Sequence, residues 1–384
     1  MATSNSNTRI NVAFLSTYPP RECGLATFTQ DLINALDKLN VPIKTSVISV
    51  NNNIQYSYDD KVVMQIEQNE EQDYSRAAEF INNSDVDILV LEHEYGIFGG
   101  EYGKYIIKLF DKIKKPVVST LHTILPSPLK EQKEILQTIG QKSSKIVAMA
   151  GNTESLLENV YNIDKTKIEI IHHGVPAIKV KPREELKKEF GFEDKFVIST
   201  FGLISPGKGL EYGIKAVSKV VQKHKNVIYL ILGQTHPCII KEQGEEYRRK
   251  LENLVNELNI NDNIKFVNKY LDKEEIITYL QMSDAYMTPY LGKDQAVSGT
   301  LAYAVGYGRV VVSTPYSYAK EMLSEGRGML AEFNDENSLA ECLNFIIENP
   351  EKRIEMEQKT KELGITMMWD NVASRYYELF KTII

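Results

Sequence analysis

Short apolar runs alternate with longer amphipathic ones through the first half of the chain. Ile10–Ser16, Ile43–Val50, Asp87–Leu91, Val117–Thr120, Lys145–Ala148 and Ile168–Ile171 have the length and β-branched content of buried strands. Between them, Thr27–Leu39 carries Phe28, Leu32, Ile33 and Leu36 at helical spacing, and Tyr74–Ile81 and Tyr102–Ile113 also read as helices. Strands alternating with helices predict right-handed βαβ units and a parallel sheet covered on both faces. The pattern restarts after Lys179–Arg183, a polar stretch with a proline that reads as a linker. Phe196–Gly202, Val227–Gly233, Ile264–Val267, Ala285–Thr288 and Val310–Ser313 are the strands of this second series, with helices over Leu210–His224 and Tyr247–Leu258. The expectation is an α/β protein of two tandem, Rossmann-like, doubly wound parallel-sheet domains, 1–178 and 179–365, followed by a last helix within 366–384. Such sheets turn the carboxyl ends of their strands towards a shared interdomain cleft.

Composition narrows the class of partner. The 384 residues carry a net charge of −7, which disfavours bulk nucleic-acid binding. No apolar run reaches the roughly 18 residues of a membrane span. The start, Met1 to Arg9, is polar and has no signal-peptide core. Cys23, Cys238 and Cys342 are too far apart for a disulfide framework or a zinc cluster. A cytoplasmic protein is expected.

Five segments could carry chemistry. The loop Thr17-Tyr-Pro-Pro-Arg-Glu-Cys-Gly follows the first strand; Gly24 would let a ligand reach a helix N-terminus, with Arg21 and Glu22 at the rim. Glu92, His93 and Glu94 end a buried strand, and the cost of burying charge would turn them to the cleft; His93 reads equally as a satisfied structural histidine. Glu-His-Glu lacks partners at metal-ligand spacing. His122 ends the next strand, so two histidines converge on one crevice, where imidazoles suit proton or hydrogen-bond work. In the second domain, Ser205-Pro-Gly-Lys-Gly sets Lys208 beside Gly207 in flexible backbone, a phosphate-type loop without Walker spacing. Last, Lys293-Asp294-Gln295 precedes Ser298-Gly299-Thr300, a small-residue helix entry with Ser298 as N-cap, whose amides could hold a diphosphate beside Lys208.

In their order, these motifs resemble retaining glycosyltransferases of the GT-B fold, close to the family-four group. The resemblance covers nearly the whole chain: the Gly24 loop, His122, Phe201-Gly-x-x-Ser-Pro-x-Lys-Gly, Tyr303-Ala-Val-Gly-Tyr-Gly, Glu321 with Gly326 and Gly328, and Trp369 before the final helix. It implies a nucleotide-sugar donor, GDP- or UDP-hexose, held mainly by the second domain, and a carbohydrate acceptor held mainly by the first. His122 would meet the transferred sugar near its 6-hydroxyl or hold the local backbone. Lys208 would neutralise the departing diphosphate without a metal or other cofactor, in a front-face route that retains configuration. Mannose or glucose would be the sugar transferred. The final helix would pack back on the first domain. Donor contacts would come from Gly24, Gly207, Ser298, Gly299, Thr300 and Tyr303, and sugar or acceptor contacts from Arg21, Glu22, His93, Glu94 and Asp294.

The chain departs from that family at three points. Where the family has Glu, seven residues, then Glu, this sequence has Gln295 and Tyr303. Gln295 or Asp294 would then take the donor-sugar hydroxyls. Leu203 replaces an arginine, leaving Arg21 or Lys293 to supply a second cation. These departures motivate two alternatives, a non-catalytic sugar- or nucleotide-binding relative and an enzyme acting on a sugar phosphate. Finally, Tyr102–Lys115 aligns Lys104, Lys108, Lys112 and Lys115 beside Ile106, Leu109, Phe110 and Ile113. If that helix lay on an anionic membrane as a peripheral contact, the acceptor would be lipid-linked; an ordinary surface helix is the simpler reading.

Overall fold

The computed structural model describes residues 9–384, so the polar start at residues 1–8 lies outside the described residues. The chain divides into two compact units. The first ends at Gly174 and takes in Trp369–Ile384 as well; the second is Val175–Met368. The division thus falls at 174/175 rather than at 178/179, and the last helix belongs to the first unit.

The first unit is built on a parallel sheet of seven strands: β1 (Ile10–Ser16), β2 (Ile43–Asn51), β3 (Val62–Glu67), β4 (Ile88–His93), β5 (Val117–Leu121), β6 (Lys145–Ala148) and β7 (Ile168–Ile170). Their order is β3-β2-β1-β4-β5-β6-β7. Direction of winding reverses between β1 and β4, which opens a crevice at their carboxyl ends. That crevice is flanked by the loop after Ser16 and by the Glu92–Glu94 segment.

The second unit has a six-stranded parallel sheet: β8 (Phe196–Phe201), β9 (Val227–Leu232), β10 (Ile264–Val267), β11 (Ala285–Thr288), β12 (Val311–Ser313) and β13 (Gly328–Leu330), in the order β10-β9-β8-β11-β12-β13. The reversal lies between β8 and β11, so the Lys208 loop and the segment leading to Thr300 flank it.

The central strands β1, β4, β5, β8 and β9 are buried along nearly their whole length because helices cover both faces of each sheet. Two edge strands escape the sequence pattern. In β3 exposed and covered positions alternate, and β13 is three residues long and only half-buried.

Two helices differ from expectation. The first begins at Gly24 rather than Thr27, because Cys23 caps it through Sγ, which accepts from the Ala26 amide. The lysine-rich stretch forms a helix only over Ile106–Lys112. On its apolar side Ile106, Leu109 and Phe110 are buried in the core and Ile113 is half-buried. Lys108 and Lys112 pair with Glu71 and Glu79. Among the described residues no helix is long and apolar enough to cross a membrane.

The helix Trp369–Lys381 closes the first unit. Trp369 stacks edge-on against Phe28 at 5.2 Å, and the Tyr376 hydroxyl lies 3.0 Å from that of Thr120. Gly174 makes this possible, since a Cβ there would stand 2.2 Å from the Trp369 ring.

Candidate active site

In the first unit the chemistry gathers at the carboxyl ends of β4 and β5. His122 Nε2 lies 2.9 Å from Glu92 Oε2. The Glu92 side chain is wholly buried, whereas His122 keeps 13% of its side chain accessible. Burial pushes the Glu92 carboxyl above its ordinary range, opposed by the hydrogen bond and charge of His122. The second Glu92 oxygen, Oε1, has no hydrogen-bond partner among the described residues. The Phe28 ring meets His122 edge-on at 4.7 Å and His173 at 5.2 Å. His173 Nδ1–H donates to the Gly174 carbonyl, 2.7 Å away, and burial lowers the ring to about 4 although its edge stays partly accessible. Glu94 accepts from Thr123 Oγ1 at 2.5 Å and remains half-buried at the surface of this cluster.

Two expectations are corrected here. Glu92 and His93 do not face outward: both have no exposed surface. They sit on a central strand with helices on both faces, so successive side chains on either face are covered. His93 lies edge-on to Tyr95 at 5.0 Å and stacked with Phe98 at 6.1 Å, and both ring nitrogens lack partners among the described residues. Burial drives it down to about 3. It is a neutral core residue, inaccessible to an acceptor. Arg21 turns its guanidinium to the Val50 carbonyl at 2.9 Å and to Gln68 at 3.4 Å, whereas Glu22 is exposed. A Cβ at Gly24 would meet open space.

In the second unit Lys208 Nζ donates to Tyr290 Oη at 2.8 Å. That hydroxyl is 2.7 Å from Thr300 Oγ1, which is 3.2 Å from Ser298 Oγ. Ser298 Oγ in turn accepts from the Leu301 amide and caps the helix Gly299–Gly306. The Tyr290 ring is buried and stacks on Tyr316 at 5.5 Å with a 16° tilt. Gly202, at φ +123°, lets the lysine and threonine come close, since a Cβ there would stand 3.2 Å from Lys208 Nζ and 3.3 Å from Thr300 Cγ2. A Cβ at Gly207 meets open space, so the backbone there is approachable. No carboxylate pairs with Lys208 among the described residues; its ammonium rests on a phenol. An uncompensated cation beside helix-entry amides is suited to an anion.

The structure joins Lys208, Ser298 and Thr300 with Gly299 into one site. It does not bring Gln295 or Asp294 into that hydrogen-bonded chain. Gln295 donates to the Val297 carbonyl and receives the Tyr318 amide at its own carbonyl, and Asp294 is exposed. Lys293 lies over the Phe333 ring at 5.5 Å. Tyr303 is half-buried with its ring edge-on to Phe201 at 6.1 Å. Sequence reasoning singled out neither Tyr290 nor the bond from Glu92 to His122. Tyr290 had a signal in its place directly after a buried strand, five residues before Gln295.

Comparison with known proteins places this second site. Residues 182–363 match the model for glycosyl transferases group 1. That segment is a little under half of the chain. An uncharacterized glycosyltransferase of Methanocaldococcus jannaschii is 28% identical over 257 residues, 66% of this chain and 62% of that protein. The D-inositol 3-phosphate glycosyltransferase of Corynebacterium urealyticum is 23% identical, over 59% of this chain and 54% of that protein. The matches thus span little more than half the length of these curated relatives. Among solved structures, a Rickettsia africae glycosyltransferase superposes with a TM-score of 0.76 at 18% identity, covering 97% of this chain and 98% of the other. Anabaena HepE, solved in complex with UDP, superposes at 0.75 with 14% identity, covering 97% and 100%. The fold is that of the GT-B glycosyltransferases, and the segment that matches the group 1 model contains the whole Lys208–Tyr290–Thr300 chain.

Proposed function

We propose that this protein is a retaining glycosyltransferase that moves a hexosyl group from a nucleoside-diphosphate sugar to a carbohydrate acceptor. The observation that carries the reading is the uncompensated Lys208 ammonium, fixed by Tyr290 beside the Ser298-capped helix entry, inside the group 1 domain. HepE, which has a similar fold, has been solved with UDP and with UDP-glucose.

In this reading the second unit holds the donor diphosphate. Lys208 and the backbone amides around Gly299 stabilise the charge that builds as the bond from the sugar C1 to the phosphate oxygen breaks. The acceptor hydroxyl forms the new bond to C1 on the same face and gives its proton to the departing phosphate. Lys208 supplies the countercharge, so turnover is unchanged by EDTA. Half-buried Glu94 and Thr123, on the first unit, are the polar groups offered to the acceptor. Mannose and glucose are the favoured sugars.

A thermal-shift panel of GDP, UDP, ADP and their hexose conjugates tests the donor. One nucleotide at about 100 times its dissociation constant should add about 2.7 kcal/mol, and Lys208→Ala should abolish most of that shift. An equal shift in the variant would remove Lys208 from the donor site.

A further inference from the structure

We infer that Glu92 is a positioning residue that holds His122 in one tautomer, with the proton on Nε2 and Nδ1 bare, so that Nδ1 accepts a hydrogen bond from a substrate hydroxyl. The role for the hydroxyl rests on the glycosyl-transfer reading above; the tautomer does not.

Glu92 is a poor residue for stability where it stands. Its side chain has no exposed surface, one oxygen bonds to His122 with the Thr120 hydroxyl also close to the carboxyl, and the other has no hydrogen-bond partner among the described residues. A buried acid with an orphaned oxygen costs more than an apolar side chain of similar volume. Neighbouring positions of β4, Leu89, Val90 and Leu91, are apolar and equally buried. What Glu92 does provide is direction. Its Oε2 lies 2.9 Å from Nε2, and the Phe28 ring at 4.7 Å and 90° fixes the plane of the imidazole. The main-chain amide of His122 donates to the His93 carbonyl at 3.0 Å, which ties the loop to the strand. Nδ1 is then the one ring nitrogen without a hydrogen bond among the described residues, on a side chain that keeps 13% accessibility. A carboxylate that receives Nε2–H leaves the opposite nitrogen as an acceptor.

The test compares wild type, Glu92→Gln and Glu92→Leu in the full chain. Nitrogen NMR of protein labelled at histidine reads the tautomer, with His122 assigned by its loss in His122→Gln. At pH 7.5 wild type should show a protonated Nε2 and a bare Nδ1. Glu92→Gln should keep that state, because its amide oxygen still accepts, and Glu92→Leu should lose it. Both variants should melt no lower than wild type by more than a few degrees. With the nucleotide sugar found in the thermal-shift panel, kcat should fall by about tenfold or more in Glu92→Leu with KM for the donor nearly unchanged, and Glu92→Gln should recover most of it. A protonated Nδ1 in wild type, or an unchanged tautomer in Glu92→Leu, overturns the inference. Absence of turnover in wild type would instead overturn the glycosyl-transfer reading, with the nitrogen spectra still deciding the pair.

Discussion

Replacing His93 by Phe should make the first unit resistant to mild acid. The native ring is buried, neutral and without a partner for either nitrogen, and burial holds it at about 3 against an ordinary 6.5. Because the folded value is depressed, the unfolded chain takes up the proton first as pH falls. The stability tied to this neutral ring is therefore intact above pH 6.5 and is lost progressively from there towards pH 3. At pH 5 the unfolded histidine is almost fully protonated and the folded one is not, which costs the native state about 2 kcal/mol relative to pH 8. That figure hardly changes for any folded value below 4. His173 is depressed in the same direction, but it is present in both proteins and cancels in the comparison. Phe replaces a ring by a ring against Tyr95 and Phe98 and strands no hydrogen bond. Trp369 is the only tryptophan and is buried in the first unit, so its fluorescence follows the unfolding of that unit in urea. Wild type should lose about 2 kcal/mol more than His93→Phe between pH 8 and pH 5. Equal losses would refute the buried neutral histidine.

The donor-site chain gives a graded pair of effects. Lys208→Ala removes a charged partner worth about 1.5–3 kcal/mol and should weaken donor binding by about 10- to 100-fold by calorimetry; Tyr290→Phe removes one neutral hydroxyl worth about 1 kcal/mol and should cost about fivefold. The reverse order would show that the phenol, not the ammonium, meets the diphosphate. Gly209 has φ +59°, and a Cβ there would stand 2.1 Å from the Pro289 carbonyl oxygen, so Gly209→Ala should lower the melting temperature and donor affinity together. Away from the site, Asp284 is buried between Lys187 at 2.7 Å, Arg183 at 3.6 Å and Arg353 at 3.9 Å. Asp284→Ala leaves that buried positive charge short of its carboxylate and should cost about 3–5 kcal/mol in urea unfolding of the second unit, whereas a loss under 1 kcal/mol would mean that Glu357, 2.7 Å from Arg183, alone compensates the cluster.

The central strands were legible in the sequence because both their faces are covered, which makes them nearly unbroken apolar runs. β3 and β13 were not: exposed and covered positions alternate along β3, and β13 is only three residues long. His122 and Lys208 were legible because each follows a buried strand directly. The outward placement of Glu92 and His93 failed for the same reason that β4 was easy to find: a strand covered on both faces buries whatever side chains it carries. The Glu92–His122 bond spans thirty residues and depends on the pairing of β4 with β5, which no local spacing encodes. Tyr290 was hidden differently. Its place after β11 was visible, but its partner Lys208 lies on another strand's loop, 82 residues away.

The most direct test of the central claim is turnover followed by proton NMR of the sugar product, using whichever nucleotide sugar stabilises the protein and a panel of carbohydrate acceptors. Wild type should release the nucleoside diphosphate and form a new glycosidic bond with the anomeric configuration of the donor, and Lys208→Ala should lose both. A donor that binds tightly and is never transferred across that panel, or a product with inverted configuration, would contradict that claim.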